Sequence, residues 1–204
     1  MVIKVGERKE RSDKKREVKP LIPLDVKDAI HRLSHVTHKP VKDVCEFLTV
    51  YILRDTATIN TLSRHFKRSI QLGNTYYRGD INNPGVSKRL KVPSDHVSGK
   101  YKKNDFEIIS TLAYALDCTP TRVNAILLES ATRNIKAVNE YVHEYMTEEL
   151  SDSQMRELRK VLSYVNQYND DNSSWLSILS AVIGDIRPAT TKLYELVEEF
   201  LKGK

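Results

Sequence analysis

The sequence predicts a mainly α-helical fold in which two units, each a short β-strand followed by a pair of helices, precede an all-α helical C-terminal module. Three observations carry this. Twice the chain runs through a proline-bracketed extended stretch into amphipathic helical patterns, first at "EVKPLIPL" (17–24) and again at "SKRLKVPSDH" (87–96). In both places the two helical patterns are parted by a proline, in "THKP" and in "CTP". Proline disfavours helical geometry in the residue before it and suits the first turn of the helix that follows. Beyond residue 134 the chain becomes acidic, helical in period and rich in tyrosine.

The elements follow in order. Residues 1–16 alternate charge signs without an apolar period and read as a flexible basic arm. Residues 17–54 form the first unit. A strand is followed by a helix that Asp25 can cap, with Val26, Ile30 and Leu33 at i, i+4 and i+7. The second helix carries Val41, Val44, Cys45, Leu48, Tyr51 and Ile52 on one stripe. Residues 55–85 are a connector with a helix at "INTLSRHFKRSIQL" and turns in "GNTYYRGDINNPG". Residues 86–134 form the second unit: a strand over 87–92, a polar spacer "VSGKYKK", and a helix capped by Asn104 with Ile109, Leu112 and Leu116 on one face. The helix of "CTPTRVNAILLESATRN" closes it. This is a degenerate internal repeat, since roughly ten residues separate Pro93 from its helix whereas Pro23 is followed almost at once. Residues 135–204 contain four helical segments, "NIKAVNEYVHEYMTEEL", "SDSQMRELRKVLSYVNQY", "SSWLSILSAVIGDI" and "PATTKLYELVEEFLKG", expected to pack together and to join subunits or a protein partner.

The net charge of +6 conceals an asymmetry: residues 1–103 carry 23 Lys+Arg against 11 Asp+Glu, and residues 104–204 carry 10 against 16. The basic half is where a polyanion would bind. No apolar run reaches the roughly 18 residues needed to cross a bilayer, and the basic N-terminus lacks an apolar segment of the signal type, so no membrane contact and a cytoplasmic location are expected. The two cysteines, Cys45 and Cys118, lack C-x-x-C spacing and lie in amphipathic patterns, which reads as two small buried hydrophobes. His31, His35 and His38 fall at i, i+4 and i+7, but no carboxylate or cysteine supplies a fourth ligand at helical spacing, so no metal site is expected. P-loop, kinase, H-E-x-x-H and G-x-S-x-G patterns are absent; neither a cofactor nor an enzymatic activity is expected.

A lone strand with two short helices leaves both strand edges unpaired and buries too little apolar surface to stand alone, so each unit needs a second copy. With the strand, the proline, and apolar residues at the third, seventh and tenth positions after it (Pro23, Val26, Ile30, Leu33), the chain resembles the ribbon-helix-helix DNA-binding family of the Arc and methionine repressors. The resemblance covers residues 16–54 and, more loosely, 86–134. It implies tandem ribbon-helix-helix units whose strands pair into an antiparallel ribbon that enters the DNA major groove, while the second helices bring their N-termini to phosphates. Strand alternation with Val18 and Ile22 inward leaves Glu17, Lys19 and Leu21 outward; Leu90 and Val92 inward leave Arg89 and Lys91 outward. Arg and Lys read guanine O6 and N7, and leucine meets a thymine methyl, so these five are the expected base-reading residues. Pro20, inward and without an N–H, costs the ribbon a cross-strand bond. The expected phosphate-binding residues are Lys14, Lys15 and Arg16 on the arm, Lys39 and Lys42 at the first of the two helix starts, and Thr119, Thr121 and Arg122 at the second.

The resemblance therefore implies a sequence-specific protein that binds double-stranded DNA, a transcriptional repressor of a bacterium, plasmid, phage or other mobile element, working as a homodimer or higher oligomer or pairing its two units within one chain. Three alternatives stand beside it: a plasmid partition or conjugation accessory protein that coats DNA repeats, an antitoxin or interaction scaffold acting through the acidic helices, and a helix-turn-helix reader at 105–131 in which Arg122 and Asn124 touch bases.

Overall fold

The computed structural model describes residues 15–86 and 92–149, with 151, 152, 156 and 160 beyond them. Over these the chain is mainly helical with short antiparallel strand pairs. The strands Arg16–Val18 (β1) and Leu21–Pro23 (β2) lead into the helices Leu24–Thr37 (α1) and Val41–Arg54 (α2). A connector holds the helix Thr56–Ser63 (α3) and the hairpin of Ile70–Leu72 (β3) with Thr75–Tyr77 (β4). Then come the strands Ser94–His96 (β5) and Gly99–Tyr101 (β6), the helices Lys103–Leu116 (α4) and Pro120–Arg133 (α5), and the helix Ile135–Glu149 (α6).

The strand that opens the chain is paired within the same molecule. Arg16 lies opposite Tyr101 and Val18 opposite Gly99; farther on, Leu21 faces His96 and Pro23 faces Ser94. The register is continuous, so 16–23 and 94–101 form one antiparallel ribbon. Its ladder is interrupted at Pro20, which has no N–H to give, although Val97 N–H still donates to the Pro20 carbonyl at 3.2 Å. Leu24 N–H donates to the carbonyl of Pro93 at 3.1 Å and closes the end of the ribbon where α1 begins.

The second strand corrects the expectation from sequence. Val92 and Pro93 lie outside any strand, and residues 87–91 are outside the described residues. The strand runs instead from the end of the stretch 87–96, Ser94–His96, through the segment read as a polar spacer, Gly99–Tyr101, because this path leads straight into α4 as β2 leads straight into α1. The helix boundaries then repeat with one spacing: Lys103 follows Leu24, Leu116 follows Thr37, Pro120 follows Val41 and Arg133 follows Arg54, each by 79 positions. His38 and Asp117, separated by the same interval, end α1 and α4 in the left-handed conformation, both with φ 53°. Two strand-helix-helix halves are thus arranged about an approximate two-fold axis, which the ribbon register puts where Lys19 meets Ser98.

Three other details differ. The α1 helix starts at Leu24, one residue before Asp25, which sits in its first turn. The α4 helix begins at Lys103 with Lys102 as its cap, not Asn104. The connector helix ends at Ser63, eight residues long and capped by the Asp55 carboxylate, which accepts from the N–H groups of Ala57 and Thr58. Where a longer helix was expected, Ile70–Leu72 turns back through Gly73, whose φ of 56° suits a two-residue hairpin turn. Arg68 fastens this connector to the end of α4 by donating to the Tyr114 carbonyl at 2.8 Å and pairing with Asp117 at 2.8 Å.

The core forms where the halves meet. Val26, Ile30 and Leu33 of α1, and Ile109, Leu112 and Leu116 of α4, are buried as the periodicity predicts, and α2 packs on α5 through Val44, Cys45, Leu48, Val123, Leu127 and Leu128. From the ribbon, Val18, Pro20, Ile22, Val97, Gly99 and Tyr101 point into this core. A Cβ on Gly99 would run into the buried Tyr101 ring, which lies back along its own strand. Cys45 is buried, and burial pushes its thiol up to about 12; Cys118 is only half-buried, which corrects the expectation for that residue. The α6 helix adds Ala137, Tyr141, Val142 and Met146 to the same core, so the first segment of the 135–204 region packs onto the two halves. The remaining three segments predicted there fall outside the described residues apart from isolated positions.

Since Ile22 is fully buried and its neighbour Leu21 is 40% exposed, their truncations should part company. Ile22→Ala is expected to cost about 2–5 kcal/mol, and Leu21→Ala no more than about 0.5 kcal/mol. Urea denaturation of both variants measures this, and equal costs would mean that the strand does not present alternate faces as described.

Candidate nucleic-acid interface

The outward face of the ribbon is built by alternation alone. Side chains of a paired antiparallel strand project to opposite faces with period two, and burial of Val18, Ile22, Val97 and Tyr101 leaves Glu17, Lys19 and Leu21 from one strand and His96, Ser98 and Lys100 from the other on the far side. Glu17 lies opposite Lys100 at one end, Leu21 opposite His96 at the other, and Lys19 opposite Ser98 in the middle.

Short polar contacts order this face. Ser98 Oγ donates to Glu17 Oε1 at 2.7 Å, and Lys19 Nζ lies 3.6 Å from the same carboxylate. The Ser98 hydroxyl, with the Lys19 charge behind it, holds the Glu17 carboxyl below the usual glutamate range. His96 Nδ1 is 3.2 Å from the Lys19 carbonyl. A carbonyl only accepts, so in this contact Nδ1 carries the proton and Nε2 is left for a partner. Below the ribbon, Lys27 of α1 pairs with Asp95 and, with the His96 N–H, draws the Asp95 carboxyl below its ordinary range.

The other residues singled out from sequence are dispersed. Arg89 and Lys91, and Lys14, lie outside the described residues. Lys15 pairs with Glu46, and the Arg16 guanidinium sits 5.6 Å from the centre of the Phe106 ring. At the start of α2, Lys42 is exposed, but Lys39 is committed: its ammonium lies 3.0 Å from Glu149 and 3.3 Å from Glu148, over the Tyr145 ring, all from α6. Those carboxylates raise the Lys39 pKa. At the start of α5, Thr119 Oγ1 accepts from the Arg122 N–H at 3.2 Å, Thr121 is exposed, and the Arg122 guanidinium lies 3.8 Å from Glu129, two turns along the same face. Asn124 is fully buried, its amide bonded to Tyr101 and Thr49, so it has no surface to offer a base.

Elsewhere, a groove of about 740 Å³ between α2, the start of α4 and α6 is lined by Asp43, Glu46, Asp105, Glu140 and Glu144 around Phe47 and Tyr51. Asp55 adds to this acidic lining, which outnumbers the two basic residues there, Arg54 and Lys102. Among the described residues no group of three or more His, Cys, Asp or Glu side chains is arranged to hold a metal ion, and no helix is long and apolar enough to cross a membrane.

His96, Ser98 and Lys100 escaped sequence reasoning. Glycine and serine in "SDHVSGKY" resemble turn chemistry, and only Val97 and Tyr101 mark the inward face. The signal that finds them is the direct passage of a strand into its helix, which unit one shows at Pro23–Leu24. Comparison of the chain with protein-family models, with curated proteins and with solved structures returns no match.

Ser98→Ala is expected to move the Glu17 carboxyl upward, toward the ordinary glutamate value, because the hydroxyl is the foremost cause of its depression. An NMR titration of the Glu17 side chain reads this directly; an unmoved midpoint would place Ser98 away from the carboxylate.

Proposed function

We propose that the chain is a sequence-specific double-stranded DNA-binding protein of tandem ribbon-helix-helix organisation, which lays the 16–23/94–101 ribbon in the major groove and acts by occupying its site, as a repressor does. The observation that carries this reading is the solvent-facing row of the ribbon, Glu17, Lys19, Leu21, His96, Ser98 and Lys100, backed by the buried side chains of the same two strands. The major groove, about 12 Å wide, admits a two-stranded ribbon. Strands about 4.8 Å apart then present side chains to neighbouring base pairs on both groove walls.

The chemistry of the row fits base edges. Lys19 and Lys100 donate to guanine O6 and N7, Glu17 accepts from cytosine N4, and Leu21 packs on a thymine methyl. His96 Nε2 and the Ser98 hydroxyl add contacts of adaptable polarity. Flanking phosphates meet the α5 start at the exposed Thr121, with the guanidinium of the next residue, Arg122, held by Glu129. Lys42 serves the same purpose at the α2 start. The reading needs no bond to be made or broken. Two features argue against the alternative of a helix-turn-helix reader at 105–131: Asn124 has no exposed surface, and α5 is spent on the core against α2.

Lys19→Ala combined with Lys100→Ala should abolish discrimination between a selected DNA site and random duplex while the melting temperature stays within a few degrees, as both side chains are exposed. Fluorescence anisotropy at moderate salt measures it; unchanged discrimination would remove the ribbon from the interface. Releasing Lys39 by Glu148→Gln with Glu149→Gln should strengthen binding and make log K fall more steeply with log salt, by about one counterion. A weaker complex or an unchanged slope would show that Lys39 does not face phosphate.

A further inference from the structure

The two halves of the ribbon are not copies of each other in chemistry, although they are in geometry. Taking this with the reading above, on which it rests, we infer that one chain acting alone reads a DNA site whose two half-sites differ in sequence. A symmetric dimer of such units would present the same residues on both sides of its axis and so match a palindrome. Here the axis passes through the Lys19–Ser98 pair, and the positions it relates are Glu17 with His96 and Leu21 with Lys100. None of these pairs shares a chemistry. One end of the ribbon offers a carboxylate beside an ammonium; the other offers an isobutyl group beside an imidazole. Base pairs suited to one end are mismatches for the other.

The interior enforces the same asymmetry. Thr49 of α2, Tyr101 of the ribbon and Asn124 of α5 form a buried hydrogen-bonded cluster: the Tyr101 hydroxyl lies 3.1 Å from Thr49 Oγ1 and 2.9 Å from Asn124 Nδ2, and Thr49 donates to Asn124 Oδ1 at 3.1 Å. The two-fold axis carries these three positions onto Leu128, Ile22 and Cys45, all apolar and buried. A second half paired with its own copy would set Tyr101 and Asn124 against Leu128 in place of Thr49. That leaves a buried polar group short of a partner, which is costly. A first half paired with its own copy would have no Tyr101 or Asn124 to meet Thr49. The cluster is complete only when unlike halves meet, and both are already present in one chain. The two helix starts are unequal too: the exposed Lys42 at the α2 start is related to the uncharged Thr121 at the α5 start, and Lys39, which Glu148 and Glu149 occupy, is related to Cys118.

The test is selection of the full chain on random duplex DNA, followed by the mass of the complex on the enriched site. The expected result is a non-palindromic consensus bound by one chain, with two palindromes, each made by doubling one half, binding at least tenfold more weakly. Base-pair mismatches of this kind weaken binding by about that factor or more each. Lys100→Ala should relax preference in one half alone and His96→Ala in the other. A palindromic consensus, two chains per site, or palindromes bound as tightly as the selected site would overturn the inference and leave the DNA-binding reading standing. Absence of any enriched sequence would overturn both.

Discussion

An extended segment at the start of a small domain has nowhere to put its backbone hydrogen bonds unless another strand comes to it, and the architecture here follows from how that demand is met. Residues 16–23 find their partner in 94–101 of the same chain, across seventy intervening positions. Once that pairing is made, α1 and α4 leave from opposite ends of one ribbon, α2 and α5 meet across its axis, and the inward side chains of both strands share one core. The connector of α3 and the β3–β4 hairpin is the length of chain that lets the second half come round. Arg68 ties it to the end of α4, so its path is set by the same core.

Polarity inside that core is selective. A buried hydrogen-bonded cluster contributes little net stability compared with apolar packing, but a broken one is costly, so such clusters discriminate between pairings more than they strengthen any one of them. Thr49, Tyr101 and Asn124 sit at the crossing of α2, the ribbon and α5. At the related crossing the same positions hold Leu128, Ile22 and Cys45. The distinction between the halves is therefore written into the interior as well as onto the exposed strand face, and the two agree. Pro20 contributes in the same direction: its missing N–H falls on one strand only, since the related position is Gly99, which makes room for the Tyr101 ring.

Charge is sorted by element. The ribbon carries basic, acidic and neutral groups side by side on its outward face, whereas acidic residues predominate on α6 and in the groove beside it. By reaching Lys39, α6 neutralises a cation that the sequence alone assigns to phosphate, and through Tyr141, whose hydroxyl lies 2.8 Å from Thr37 Oγ1, it also locks the end of α1. A helix that reads from sequence as the start of a separate acidic module is thus part of the same core, and its carboxylates pair with Lys39.

Local chemistry determined a good deal unaided. Apolar periodicity placed α1, α2, α4 and α5 and the side chains they bury. Proline marked where each pair of helices turns, and strand alternation set Val18 and Ile22 inward with Glu17, Lys19 and Leu21 outward. These are short-range consequences of backbone sterics and of the two repeat periods, 3.6 and 2.0. What the sequence could not decide was partnership. Whether 16–23 pairs within the chain, and with 87–92 or 94–101, depends on which choice lets a strand run directly into its helix while burying Val97 and Tyr101. That sum is taken over the whole core, and no local pattern contains it. The same holds for Lys39: its lysine chemistry is legible anywhere, but its being held by Glu148 and Glu149 requires α6 to fold back over the start of α2, a contact between residues more than a hundred positions apart.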